Sequence, residues 1–115
     1  PMPFISIKKD TFDLQKNIYI LHGNNGHIDV WMHFDDIKPN ASNPYGLISI
    51  DYDGDDDVMF VSAIDESTYQ KQNGIIYVID IKTKKILQKI DGFDALSIKY
   101  LKSLDGKKYL LAGST

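Results

Sequence analysis

Asp51, Asp53, Asp55, Asp56 and Asp57 place five carboxylates within seven residues, interrupted only by Tyr52 and Gly54. Like charges packed this densely repel one another unless water, a metal ion or a basic partner screens them. The stretch is too charged for burial and too broken by glycine for a strand, so an exposed turn is expected. Alternating aspartates supply oxygen ligands at the spacing of a calcium loop, but Gly54 is the fourth residue from Asp51 rather than the sixth, and the twelfth is Ser62 rather than Glu. That excludes an EF-hand. Three readings stay open: a calcium loop of another kind, a plain solvated turn, and an acidic tip that meets a partner's lysines and arginines.

Other chemistry is weakly supported. His27, Asp29 and His33 alternate onto one strand face, yet His27 and His33 sit six residues apart, roughly 20 Å along an extended chain, too far to share a zinc ion. His22 and His27 flank a tight turn and could face each other across it as an acid–base pair. No cysteine, no Gly-x-Ser-x-Gly turn and no phosphate-cradling glycine loop is present, so thiolate and P-loop chemistry have no residues to work with and hydrolytic catalysis is poorly supported. The expectation is a protein that binds rather than catalyses, with no cofactor.

The acidic stretch lies between two nearly continuous apolar runs, residues 46–50 and 58–64, the pattern of interior strands covered on both faces. Upstream, residues 4–8 alternate as a short strand, and residues 10–16 form a polar connection with room for one helical turn. Residues 17–22 form a second strand, and Gly23-Asn24-Asn25-Gly26 makes a tight hairpin. Residues 27–34 then alternate cleanly, with Ile28, Val30, Met32 and Phe34 assigned to the core face and His27, Asp29, Trp31 and His33 to the other. Residues 35–45, with two prolines, and residues 65–73 read as loops. Downstream, strands are expected over residues 74–81, 86–90, 95–101 (Leu96, Ile98 and Tyr100 inward) and 108–112, the last pair joined by an Asp105-Gly106 turn. About eight or nine short strands separated by turn signals define one all-β domain over residues 1–115, an antiparallel meander.

Seven Tyr, five Phe and one Trp in 115 residues, with 43% hydrophobic residues, suit a folded domain rather than a disordered one. The net charge of −3 hides an asymmetry. Residues 1–70 carry four lysines against twelve acids, and residues 71–115 carry nine lysines against four. Arginine is absent, which removes the side chain best suited to bidentate phosphate or guanine recognition, so nucleic acid is not an expected partner and a basic protein is. The lysines of the second half read as the usual protection of edge strands against aggregation. No apolar run approaches membrane-spanning length and no signal-like segment opens the chain. Cytoplasmic location and no membrane partner are therefore expected, and Pro1 fits a complete chain whose initiator Met was removed.

Three stretches carry a resemblance. Gly74-Ile75-Ile76-Tyr77-Val78-Ile79-Asp80-Ile81-Lys82-Thr83-Lys84-Lys85-Ile86-Leu87 resembles a β-propeller blade hairpin, and residues 103–114 are similar to the first hairpin of a following blade. Residues 51–58 look like the acidic turn of integrin-type propellers, which keeps calcium open. A blade takes roughly 40–50 residues and a closed ring at least four blades, so 115 residues imply an open half-propeller or a sandwich-like assembly. Either a second copy completes the ring as a homodimer or a partner covers the exposed edges. A small, acidic, cysteine-free half-propeller is similar to the immunity proteins of bacterial contact-dependent growth inhibition. That resemblance implies a cognate basic toxin domain, such as a nuclease, as partner. The contacts expected are Asp51, Asp53, Asp55, Asp56 and Asp57, with Asp65, Glu66 and Tyr69 from the next loop and Trp31, Asp35 and Asp36. The alternative is a calcium-stabilised extracellular adhesion or binding module.

Overall fold

The computed structural model describes residues 16–37, 46–64 and 71–114. Within them the chain forms eight antiparallel strands: β1 (Asn17–Leu21), β2 (Ile28–His33), β3 (Gly46–Asp53), β4 (Val58–Ile64), β5 (Ile75–Asp80), β6 (Ile86–Asp91), β7 (Ala95–Lys102) and β8 (Lys108–Ser114). The expected strand at residues 4–8, the helical turn before Lys16, and the loop carrying Asp65, Glu66 and Tyr69 lie outside the described residues. No α-helix occurs among the described residues, and no helix there is long and apolar enough to cross a membrane. The all-β class and the meander are as the periodicity predicts.

The strands divide into three sheets: a β1-β2 hairpin, a central four-stranded meander in the order β3-β4-β5-β6, and a β7-β8 hairpin. Short turns between sequential strands enforce this order, because each strand's nearest partner is the one it has just left. Only β4 and β5 are covered on both faces, which is why they read as continuous apolar runs; residues 46–50, expected to be an interior strand of the same kind, belong to the edge strand β3, where Ile50 is 49% exposed. On one face Val61, Ala63, Tyr77 and Ile79 bury against Phe34 and Ile37, with the Phe34 and Tyr77 rings 4.8 Å apart. On the opposite face Ile76 packs with Ala95 and Ile98 of β7, with Phe60 and Leu110 alongside. Odd-numbered residues of β4 and β5 serve one layer and even-numbered residues the other, the period-two alternation of a pleated strand.

Three further expectations change. Asp51, Tyr52 and Asp53 are strand residues, pairing with Phe60, Met59 and Val58, so only residues 54–57 form the turn. Ile28 and Val30 are 61% and 53% exposed rather than core. The β1-β2 hairpin packs through its base, where Ile18, Trp31, Met32 and Phe34 meet the central cluster, while its turn end projects past it. In β7, Leu96 points outward and Ala95 inward, because a register shift between Ala95 and Ser97 moves the alternation by one residue.

Candidate partner-binding rim

The β3-β4 turn is built by its own aspartates. Asp53 Oδ1 accepts the Asp55 N–H at 3.0 Å, a local bond of the kind aspartate offers in turns. Asp57 takes a left-handed conformation with φ of 51°, tolerated by aspartate better than by most residues. The Tyr52 hydroxyl donates to Asp57 Oδ1 at 2.9 Å. Ile81 N–H donates to the Asp57 carbonyl at 3.0 Å, tying this turn to the one between β5 and β6.

The positive charge that the aspartates require comes from the chain itself. Lys102 and Lys108 end β7 and begin β8 and are paired across that hairpin. Lys108 Nζ reaches Asp53 Oδ2 at 3.0 Å and Asp56 Oδ2 at 2.5 Å, and Lys102 Nζ reaches Asp55 Oδ2 at 2.9 Å. Lys82, in the β5-β6 turn, lies 3.4 Å from Asp57. Asp51 Oδ2 accepts the Tyr100 backbone N–H at 2.6 Å, and its Oδ1 accepts that of Tyr52 at 2.9 Å. Asp53 is 2% exposed, contrary to the expectation that this stretch is too charged to bury. A carboxylate with a lysine and a backbone N–H on its oxygens can leave water where an unpaired one cannot. Lys108 stands where a cation shared by Asp53 and Asp56 would stand, and no group of three His, Cys, Asp or Glu side chains suited to a metal ion occurs among the described residues.

Titration follows from these contacts. Burial works to raise the Asp53 carboxyl, but the Lys108 hydrogen bond and the turn's N–H groups outweigh it and hold the group below the usual carboxylate range. The Tyr100 N–H lowers Asp51. Asp56 and Asp53 raise the Lys108 ammonium, and Asp55 raises Lys102. The lowered carboxylates stabilise the fold above their unfolded pKa, near 3.9, and lose that contribution as pH falls through the folded value. The raised lysines contribute below about pH 10.4 and lose it as pH rises through theirs. The melting temperature is therefore expected to hold level between about pH 5 and 10 and to fall on either side. A midpoint that rises between pH 5 and pH 3 would contradict the pairing.

The remaining expected contacts fall into separate places. Trp31 is half-buried against the core with Lys84 Nζ 5.1 Å from its ring centroid, so it is a packed cation–π partner rather than a free indole. Asp36 binds Lys89 Nζ at 2.7 Å and the Tyr77 hydroxyl at 3.3 Å, which ties the end of β2 to β5 and β6. Asp35, almost wholly exposed, lies 2.9 Å from His33 Nε2. His22 and His27 do come together: each Nε2 lies 3.1 Å from an opposite oxygen of Asp29, at the turn end of the β1-β2 hairpin. His33 is apart from them, at the other end of β2.

Lys84 facing Trp31, Phe34 on Tyr77 and Lys89 bonded to Asp36 show that the chain through β2 crosses the face of the central sheet in the same direction as β6. The β1-β2, β3-β4, β5-β6 and β7-β8 turns therefore point to one end of the molecule, opposite the β4-β5 connection. Three of them are joined by the lysine–aspartate pairs into a rim of fixed mixed charge. The lysines that complete it were not recognised as site residues from sequence, although the opposite charges of the two halves were the signal. Comparison with family models, with curated proteins and with solved structures found no match.

Proposed function

We propose that this chain is a binding protein with no catalytic role, an inhibitor of the immunity type that covers a basic toxin domain with its turn rim. The supporting observation is that Asp55 and Asp56 are held by Lys102 and Lys108 while their side chains stay 59% and 62% exposed. Carboxylates fixed in place before encounter lose little freedom on binding and steer a cationic partner. The contact is a patterned surface of alternating charge rather than a bare anionic tip, which favours specificity over bulk attraction. A half-propeller reading accompanies it: the central meander corresponds to one whole blade, with β1-β2 and β7-β8 as two half blades.

The test is co-expression with the protein encoded in the adjacent reading frame. The wild-type chain is expected to relieve growth inhibition and to co-purify with that protein. Asp55→Lys with Asp56→Lys is expected to weaken the complex at least about tenfold and to flatten its salt dependence, with the variant's own melting checked first. A complex of unchanged affinity, or no effect on growth from the wild-type chain, removes the proposal.

A further inference from the structure

The two faces of β3 are treated differently. On one face β7 lies directly over it, with Ile98 N–H donating to Ser49 Oγ at 3.3 Å and Tyr100 N–H to Asp51. On the other face Ile50 and Tyr52 are each 49% exposed and floor an apolar groove of about 490 Å³ whose wall is β1 and Trp31. A second groove of about 230 Å³ continues it between Asn17–Tyr19 and Leu47–Ile50. Among the described residues the position that β7 fills on one side of β3 is thus open on the other, beside a β1 strand hydrogen-bonded there only to β2.

The β7-β8 hairpin has matching features. Its inner side chains pack on the central sheet, while Leu101, Tyr109 and Leu111 stand 47%, 47% and 53% exposed on its outer face. The register places Leu101 opposite Tyr109 and Leu111 opposite Lys99 on that face. β8 pairs only with β7 among the described residues. A two-stranded sheet with an open edge and an apolar outer face is marginal by itself. The charges outside the rim and the Asp36–Lys89 pair also match: the hairpin keeps Lys99, beside Leu111 on the outer face, and Lys107, while Asp29 and Asp35 on the groove's side of the molecule are held by histidines rather than lysines.

We propose that a second copy of this chain occupies the groove, its β7-β8 hairpin lying over β3 and adding β8 to the free edge of β1. The composite sheet, β7-β8 of one copy followed by β1-β2 of the other, has the strand number and meander order of the central sheet β3-β4-β5-β6. Main-chain hydrogen bonds join the edges, as in β-strand addition, and Leu101, Tyr109 and Leu111 close over Ile50 and Tyr52. The contact is head-to-tail, so two such contacts related by a two-fold axis close a ring without exposed inner edges. This proposal rests on the half-blade reading but not on the toxin, and the rim stays accessible in the closed ring.

Sedimentation from about 1 to 100 μM is expected to show a closed dimer in the micromolar range or tighter. Leu111→Lys and Ile50→Lys change exposed positions on opposite halves of the contact, and each is expected to weaken self-association at least about tenfold while leaving the circular dichroism of the monomer unchanged. Mixing the two variants is expected to restore a one-sided heterodimer, since one retains an intact groove and the other an intact hairpin. A wild-type chain that stays monomeric throughout, including because its own residues 4–8 fill the groove, overturns the proposal. So do single variants that associate like wild type, or a mixture that restores nothing. Failure here leaves the growth-rescue experiment untouched.

Discussion

Gly74→Ala is expected to be the single-residue change that lowers the melting temperature most, by more than about 10 °C. A β-carbon at Gly74 would lie 2.1 Å from the Phe93 carbonyl oxygen, 2.6 Å from its carbon and 2.7 Å from Asp94 Cα. All three are backbone atoms, so no side chain can swing aside. The crossing is fixed from both directions: Gly92 N–H donates to the Gly74 carbonyl at 2.9 Å, and Asp94 N–H donates to Gln72 Oε1 at 2.8 Å. Here the link from β6 to β7 passes over the entry to β5, and separating them pulls Ala95 and Ile98 out of the second core layer. A methyl group forced into such a site displaces the backbone, with a fall in melting temperature of more than about 10 °C. Gly92→Ala is the control. Gly92 has φ of 88° but open space around its would-be side chain, so its cost is the backbone strain alone, of order 1–3 kcal/mol. Equal melting of the two variants would show that the close approach at Gly74 carries no weight.

Lys108→Met is expected to lower the melting temperature by about 10 °C at pH 7. Methionine keeps much of the lysine stem's packing, so the loss isolates the ammonium. Without it Asp53, 2% exposed, keeps its bond from the Asp55 N–H but faces Asp56 with no cation between them. The deficit should shrink as pH falls below about 4, because a protonated Asp53 no longer needs the lysine. Adding Asp53→Asn should recover part of the loss at pH 7. A Lys108→Met protein melting within a degree or two of wild type at every pH would show that the aspartates do not depend on it.

The strands were legible because their signal is local. Residues 58–64 and 74–81 alternate with no polar side, and β4 and β5 are the two strands with partners above and below. The Gly23-to-Gly26 and Asp105-Gly106 turns close the hairpins their residues imply, with Gly26 and Gly106 at φ of 71° and 86°. The outward turn of Leu96 was not legible, since a one-residue bulge reverses a strand's facing without altering its composition. Nor was the exposure of Ile28 and Val30, because alternation tells which side chains share a face but not how far a neighbouring sheet extends over it. The candidate site was half legible. Five aspartates announce a need for positive charge, yet Lys102 and Lys108 come from a hairpin about fifty residues later, and only the fold brings them there. Their sequence signature was the basic second half, which edge protection explains equally well.

The partners of Lys102 and Lys108 lie 47 to 55 residues earlier in the chain. A ribosome making this protein therefore releases the aspartate turn well before the lysines that settle it. During that interval the β3-β4 turn has only Lys82 beside Asp57, and the repulsion among the other aspartates is expected to keep its apolar flanks apart from neighbouring chains. Arrival of the last hairpin removes that repulsion and clamps the sheets in one step, so the same residues serve first as a solubiliser and then as a latch.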